Sequence, residues 1–355
     1  MKKEERSISD KYIKDIIIDT LDIDGLKVPL ISRIIKKRDK IASAMVRCGI
    51  NRYTYEIPTG LYLLGDIEYA KDVIVTCNYR LTIDVLRSSI KSKGLFILVL
   101  DTFGINVWCA AGKSTFSSKE LIYQVVKSDI KKKLKVRRVI LPQLGASSIE
   151  PHIIRKMSGV SVVYGPVRAE DIDSFLENSY NCNEAMRTVR FPLLDRLKLT
   201  ALEFIQSIKY ILISIVGFLA YSLLFFELKD VVFVTAYNSI SVLILSLIGA
   251  IGFPLAISRL PFKSFSLNNI LLSSPLIIGF TIYEVSNDLN PTIYITFTLI
   301  IIRLMYAAFI GFRFTGSTTF TSFSGAKREG KEIVRYSKVV SILSVVLLFV
   351  SKVIG

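Results

Sequence analysis

The chain is poor in the residues that build most metal centres. Its 355 residues include four cysteines, one histidine and one tryptophan. Cys48, Cys77, Cys109 and Cys182 are widely separated, and none belongs to a C-x-x-C pair. That spacing excludes zinc ribbons and the loops that ligate iron–sulfur clusters. The first residues, MKKEERSISDKY, are charged and lack the apolar stretch of a secretory signal. Unpaired thiols without such a signal predict a reducing, cytoplasmic setting for the N-terminal part. A complete Walker A loop is missing as well. Gly112, Lys113 and Ser114 supply its tail, but its leading glycine would fall at 107, which is Val, with Trp108 beside it. A β-branched residue and an indole are poor substitutes where backbone must wrap phosphate.

Apolar and basic residues are plentiful. The sequence is 51% hydrophobic and carries a net charge of +16. The apolar residues gather in five runs, at about 208–226, 231–257, 267–283, 291–311 and 338–354. Most approach the ~20 residues that a spanning helix needs. The connecting loops alternate. ELKD (227–230) and EVSNDLNP (284–291) are acidic or neutral, whereas SRLPFKS (258–264) and the stretch 313–338 are basic. This pattern predicts a five-helix bundle in the inner (cytoplasmic) membrane, with the N-terminal domain on the cytoplasmic side. Arg303 lies within the fourth run, where it is expected to snorkel or to pair with Glu284 or Tyr306.

Residues 1–200 hold 34 Lys and Arg against 23 Asp and Glu, a balance of +11. Attraction to anionic membrane lipid accounts for that excess, and nucleic acid is not an expected partner. Short β-rich runs recur at VIVTC (73–77), FILVLD (96–101), RRVILP (137–142) and SVVYG (161–165), with helical patterns at 82–92, 117–133 and 167–178. The alternation predicts a Rossmann-like α/β domain over 1–200, with 1–60 as an N-terminal extension, followed by an all-α membrane domain over 201–355. Ligands of such sheets bind at the carboxyl ends of the strands. The segments 77–79, 103–113, 142–146 and 165–169 would therefore line one rim.

The stretch N-V-W-C-A-A-G-K (106–113) falls on that rim. Asn106 is a good N-cap for a short helix carrying Cys109, with Gly112 and Lys113 one turn on. Ala110 and Ala111 are small enough to let this helix lie flat on a bulky partner, and Trp108 is expected to tuck beneath it. The residues alone leave two readings of Cys109: a buried structural thiol, or a ligand. Cys48, Cys77 and Cys182 are expected to be buried thiols.

The octapeptide resembles, at every position, the cap-helix signature of the mercury-methylating corrinoid proteins (the HgcA family). GLYLLGD (60–66), TCNYRLTID (76–84), LVLDTFGINVWCAAGK (98–113), ILPQLGA (140–146) and VVYGPVRA (162–169) resemble that family too. The domain is also similar to the corrinoid domain of the corrinoid iron–sulfur protein. The resemblance implies a corrinoid-dependent methyltransferase that moves a methyl group from cobalt to Hg(II) and yields methylmercury. It implies Cys109 as the lower axial cobalt ligand, and a cofactor surrounded by Asn78, Asn106, Val107, Trp108, Ala110, Ala111, Gly112, Lys113, Gln143, Gly145, Gly165 and Val167. A donating sulfur opposite the methyl would polarise the bond so that the methyl leaves with its electrons, as Hg(II) requires. The sole histidine, His152 in S-I-E-P-H, lacks the D-x-H-x-x-G context of histidine-ligated corrinoids. The implied partners are a two-cluster [4Fe-4S] ferredoxin as electron donor and a methyl donor of the methyltetrahydrofolate pathway. Two other readings stay open: a membrane corrinoid methyl carrier of one-carbon metabolism with a non-mercury acceptor, and a nucleotide-binding membrane protein using A-A-G-K-S-T.

Overall fold

The computed structural model describes residues 11–290 and 292–354. The first ten residues of the expected N-terminal extension, Pro291 at the head of the expected fourth span, and Gly355 lie outside them. The chain divides into two compact units. One holds residues up to Val46 and Ile50–Arg190; the other holds Arg47–Gly49 and Phe191 onward.

The first unit is built on a seven-stranded mixed sheet: β1 (Ile17–Ile23), β2 (Leu26–Ile31), β3 (Gly60–Gly65), β4 (Val73–Cys77), β5 (Gly94–Leu100), β6 (Arg138–Pro142) and β7 (Ser161–Gly165). Their order is β1-β2-β3-β5-β4-β6-β7. The four runs expected from the sequence form the parallel block β5-β4-β6-β7. Three strands extend it. GLYLLG pairs antiparallel to β5 as β3. The segment read as an extension contributes the β1–β2 hairpin, which continues the sheet from β3. Its turn is Asp24-Gly25, both at positive φ (48° and 75°), the Asp-Gly pattern favoured by tight hairpins.

Side chains alternate between the two faces of the sheet. Val73, Val75 and Cys77 of β4 enter one core with Phe96, Leu98 and Leu100 of β5. Ile74, Ile97 and Val99 enter the other. Helix Ser118–Ser128 and helix Pro151–Ser158 cover the first face through Leu121, Val125 and Ile154, and helix Arg80–Ser89 covers the second through Ile83 and Leu86. Coverage on both faces explains why the central strands read as unbroken apolar runs. Because β5 and β6 flank β4, the chain leaves β4 and β5 in opposite directions. The order of the sheet thus reverses at the carboxyl end of β4, where Asn78 stands, the position at which sheets of this kind bind ligands.

Four charges are buried beside helix Arg80–Ser89. Asp39 bridges Arg80 (3.1 Å) and Arg87 (2.9 Å), and Asp84 bridges the same two arginines at 2.9 and 2.7 Å. Residues 80, 84 and 87 share one helical face, and Asp39 comes from helix Lys37–Arg47, so the cluster locks the two helices together. Burial pushes the Asp39 carboxyl up. The Lys36 N–H bond and the two guanidiniums outweigh it and hold the group below its ordinary range.

Among the described residues, the second unit contains five helices long and apolar enough to cross a membrane, which points to a multi-pass membrane protein. They comprise Leu193–Phe225, a segment from Leu228 that passes through a π-helical turn at Ile248–Gly252, Phe265–Ser286, Ile293–Arg313 and Phe323–Ile354. The first and last outrun the apolar stretches that mark them, because their charged first turns stay helical. Pro275 sits inside the third helix without ending it. Arg303 is fully buried. It binds Glu284 with two nitrogens, donates to Asn238 Oδ1 (2.9 Å) and Ser241 Oγ (3.2 Å), and so ties three helices together. Glu284 is thus its partner, while Tyr306 bonds Ser246 instead.

Candidate functional site

The rim at the carboxyl ends of β4, β5 and β6 is organised by one amide. Asn78 is buried (1% exposed) directly after β4. Its Oδ1 accepts the N–H groups of Thr102 and Gly104, both at 3.1 Å. Its Nδ2 donates to Glu56 Oε2 (3.1 Å) and contacts Asp101 Oδ1 (3.4 Å). Asp101 Oδ1 in turn accepts the Phe103 N–H at 3.0 Å. The segment after β5 is therefore fixed before the next helix begins.

That helix is Val107–Gly112. Asn106 caps it, with Oδ1 accepting the Cys109 N–H at 2.9 Å. Such a cap stabilises a helix by about 1 kcal/mol. Val107, Ala110 and Ala111 face inward and are buried. This corrects the expectation that the two alanines meet an outside partner: Ala110 belongs to the unit's own core. Trp108 does not tuck beneath the helix either; it is 44% exposed. Inward positions recur every three to four residues, so Val107 and Ala110–Ala111 take the core face and leave Trp108 off it. Cys109 is half-buried, and Gly112 and Lys113 are exposed. A Cβ placed on Gly112 would meet nothing within 4 Å. The amides of Cys109, Ala110 and Lys113 already bond Asn106 and Cys109, which leaves no cradle for phosphate at A-A-G-K-S-T.

The cap helix packs against the 3-10 segment Gln143–Ser148 that follows β6. Gly145 is buried there, and a Cβ on it would lie 2.5 Å from Phe116 Cε1, so packing alone demands glycine. Gln143 Oε1 is buried without a hydrogen-bond partner among the described residues. Gly165 and Val167 stand farther along the rim, at the end of the edge strand β7. Gly165 is buried, and the Val167 N–H is spent on Met186 O at 2.8 Å. The fold thus brings the cap helix and residues 143–145 together at the strand ends, with Gly165 paired to Pro142 on the neighbouring strand.

The other thiols differ from Cys109. Cys77 is fully buried, and burial raises its pKa, as expected of a structural thiol. Cys182 and Cys48 are only half-buried, which corrects the expectation of buried thiols. Cys48 follows the end of helix Lys37–Arg47, and Cys182 lies in a loop at the fringe of the second core. Burial raises Cys182 as well, against the pull of Arg187. Among the described residues, no group of three or more His, Cys, Asp or Glu side chains could hold a metal ion. His152 is exposed at the start of helix Pro151–Ser158. The first residue of the expected rim segment 103–113, Phe103, stands at φ 60° and 43% exposed, followed by Gly104 at φ 67°. Phenylalanine carries no signal for that conformation.

Residues 51–176, from just before β3 through β7, match the family described as CdhD, CO dehydrogenase/acetyl-CoA synthase delta subunit. The chain is 26% identical over 128 residues to the acetyl-CoA decarbonylase/synthase complex subunit gamma of Methanopyrus kandleri, covering 36% of this chain and 27% of that protein. It is 28% identical over 114 residues to the corrinoid/iron-sulfur protein large subunit of Moorella thermoacetica, covering 32% and 25%. The chain thus spans about a quarter of the length of the curated relatives it matches. The capped helix with Cys109 lies inside the matched region, and the five membrane helices lie outside it. By these likenesses the rim belongs to a domain like that of the corrinoid proteins.

Proposed function

We propose that the α/β unit binds a corrinoid at this rim with the Cys109 sulfur as axial ligand to cobalt, and that the chain is a membrane-bound methyltransferase delivering the methyl group to Hg(II). The observation that carries the reading is Cys109 itself. It is half-exposed on an Asn106-capped helix, at the strand ends where such sheets bind ligands, inside the stretch similar to corrinoid proteins. When bound, the corrinoid supplies a cobalt that carries the methyl group and yields it to a soft electrophile.

The residues at the rim fit such a group. Cys109 has open surface beside it at Gly112 and Lys113. The orphaned Gln143 Oε1 offers an acceptor to a side-chain amide of the macrocycle. Asn78 works indirectly, by fixing the segment from which the cap helix springs. The proposed cobalt ligand is Cys109 and not the chain's one histidine, His152, whose exposed ring lies beside Glu150. A two-cluster [4Fe-4S] ferredoxin would return the electrons, and a methyltetrahydrofolate-type donor would resupply the methyl. The basic loops 258–264 and 313–338 support a cytoplasmic side of the inner membrane for the α/β unit.

A second reading shares the cofactor and changes the acceptor: a membrane methyl carrier of one-carbon metabolism. The names of the relatives favour it, since they are subunits of acetyl-CoA decarbonylase/synthase and a corrinoid/iron-sulfur protein. Absorbance of the purified protein before and after illumination tests the cofactor, because light breaks alkyl–cobalt bonds. Methylmercury formation, assayed with and without Cys109→Ala, tests the acceptor and the ligand together. The expected result is a light-sensitive corrinoid spectrum, with methylation abolished in the variant although it still reaches the membrane. A protein without a corrinoid spectrum, or a fully active Cys109→Ala, contradicts the proposal. A corrinoid spectrum with no methylmercury favours the carrier.

A further inference from the structure

One end of the helical bundle holds a cavity of about 510 Å³, between the basic turn 258–264 and the first turns of helix Phe323–Ile354. Two polar clamps fix its walls. Asn268 is buried; its Oδ1 accepts the Phe262 N–H at 2.9 Å and its Nδ2 donates to Phe262 O at 2.7 Å. Glu329 is 8% exposed, and its Oε1 accepts from the Ser264 hydroxyl (2.9 Å), the Ser266 N–H and the Ser266 hydroxyl (both 2.7 Å). The turn is thereby tied to two helices, and the cavity exists before any ligand arrives. At the head of helix Phe265–Ser286, the N–H groups of Ser266 and Leu267 are already taken by Glu329 and Ser264. Side chains, not a helix end, are what the cavity offers to a ligand.

Those side chains carry both signs of charge. Lys263 and Arg328 stand exposed at the cavity, and so does Glu332, one turn beyond Arg328 on the same helix. Among the described residues, none of the three enters an ion pair. Glu329 adds a second carboxylate, whose Oε2 accepts no hydrogen bond among the described residues. Apolar wall is supplied by Ile257 and by the half-exposed rings of Phe262 and Phe320. An anion alone would face two carboxylates, and a cation alone would face two basic groups. A ligand with both charges and an apolar body meets all of them.

We propose that this cavity binds a zwitterionic phospholipid of the phosphatidylethanolamine type, with Lys263 and Arg328 on its phosphate, Glu332 on its ammonium, and its acyl chains passing Phe262 and Phe320. Basic pockets between membrane helices hold lipid phosphates, and the carboxylates add selectivity for the ammonium. The inference rests on the membrane reading of the bundle and is independent of the corrinoid. A bound lipid bridges the turn to the last helix, so it stabilises the folded bundle.

Delipidated full-length protein in detergent is titrated with dioleoylphosphatidylethanolamine, dioleoylphosphatidylglycerol or soluble glycerophosphoethanolamine. Native mass spectrometry counts bound ligand, and thermal unfolding records stabilisation. Wild type is expected to bind the zwitterionic lipid about tenfold more tightly than the anionic one, and to melt higher in its presence. Glu332→Gln erases the preference while phosphatidylglycerol still binds. Lys263→Ala/Arg328→Ala weakens both lipids, and Lys263→Arg/Arg328→Lys retains them. These side chains are exposed, so the variants without lipid should melt as wild type does. Equal binding of the two lipids by wild type, or a preference untouched by Glu332→Gln, overturns the proposal. The soluble headgroup is expected to bind far more weakly than the lipid; binding as tight as the lipid's would mean that the cavity takes a free phosphate-ammonium compound, and the lipid assignment would be wrong.

Discussion

The two units distribute polarity in opposite ways. The α/β unit has an aliphatic interior of Val, Leu and Ile, and its buried polar groups sit at the ends of strands and helices, such as Asn78, Thr102, Arg80 and Arg87. The bundle turns many apolar residues outward, with Ile213, Val216, Val232 and Phe349 among the most exposed, and buries Ser222, Asn238, Ser241, Ser246, Asn269, Ser273, Glu284 and Arg303. Water drives apolar side chains inside the first unit. Lipid offers no such drive to the second, whose helices meet through small side chains and hydrogen bonds. A buried polar residue therefore carries different meaning in each. In the α/β unit it is an exception that fixes a loop, as at Asn78, or locks one helix pair, as at Arg80 and Arg87, whereas in the bundle it recurs along the faces that join the helices.

This contrast can be broken at several points. The largest effect is expected in the bundle. Arg303→Leu leaves Glu284 buried without its cation and should cost about 3–5 kcal/mol, whereas the Arg303→Leu/Glu284→Leu pair recovers most of it. Thermal unfolding in detergent measures both, and a single variant as mild as the double would mean that the pair joins nothing. Next comes Asn78→Ala, which strips the acceptor from the Thr102 and Gly104 amides and should cost on the order of 3 kcal/mol. Alkylation of Cys109 should then quicken as the cap helix loosens; an unchanged rate would show that Asn78 does not hold the site. Asn106→Ala removes the cap at about 1 kcal/mol, and Asn106→Asp restores it. Denaturant unfolding separates these two variants, and equal stability of Ala and wild type would dismiss the cap.

The smallest effect concerns Asp39. A carboxyl held below its ordinary range binds its proton less readily folded than unfolded. Its contribution is full above about pH 4 and is lost as pH falls through the lowered value. Wild type should therefore lose stability below about pH 4 more steeply than Asp39→Asn; parallel pH profiles would remove Asp39 from the account.

The fold is unevenly legible in the sequence. Strands covered on both faces announce themselves as apolar runs, so β4 to β7 are readable, as are the five lipid-facing helices. β1 and β2 hide behind alternating charge, since an edge hairpin has an exposed face; only Asp24-Gly25 betrays their turn. The Arg80, Asp84 and Arg87 stripe reads as a solvated helix face until Asp39 arrives from a distant helix. At the rim, Asn106 and Cys109 follow from helix-capping rules. The inward turn of Ala110 and Ala111 does not, because small residues suit a tight core and a close ligand equally. Phe103 reads as part of the rim, but its backbone conformation does not, since that is set by Asn78, 25 residues earlier in the chain.

The central claim is a cobalt–sulfur bond to Cys109, and cobalt X-ray absorption of the purified, corrinoid-loaded full-length protein tests it most directly. The account predicts a sulfur neighbour at bonding distance in wild type that disappears in Cys109→Ala while the corrinoid remains. A cobalt with only nitrogen and oxygen neighbours in wild type, or a sulfur signal that survives the substitution, contradicts it.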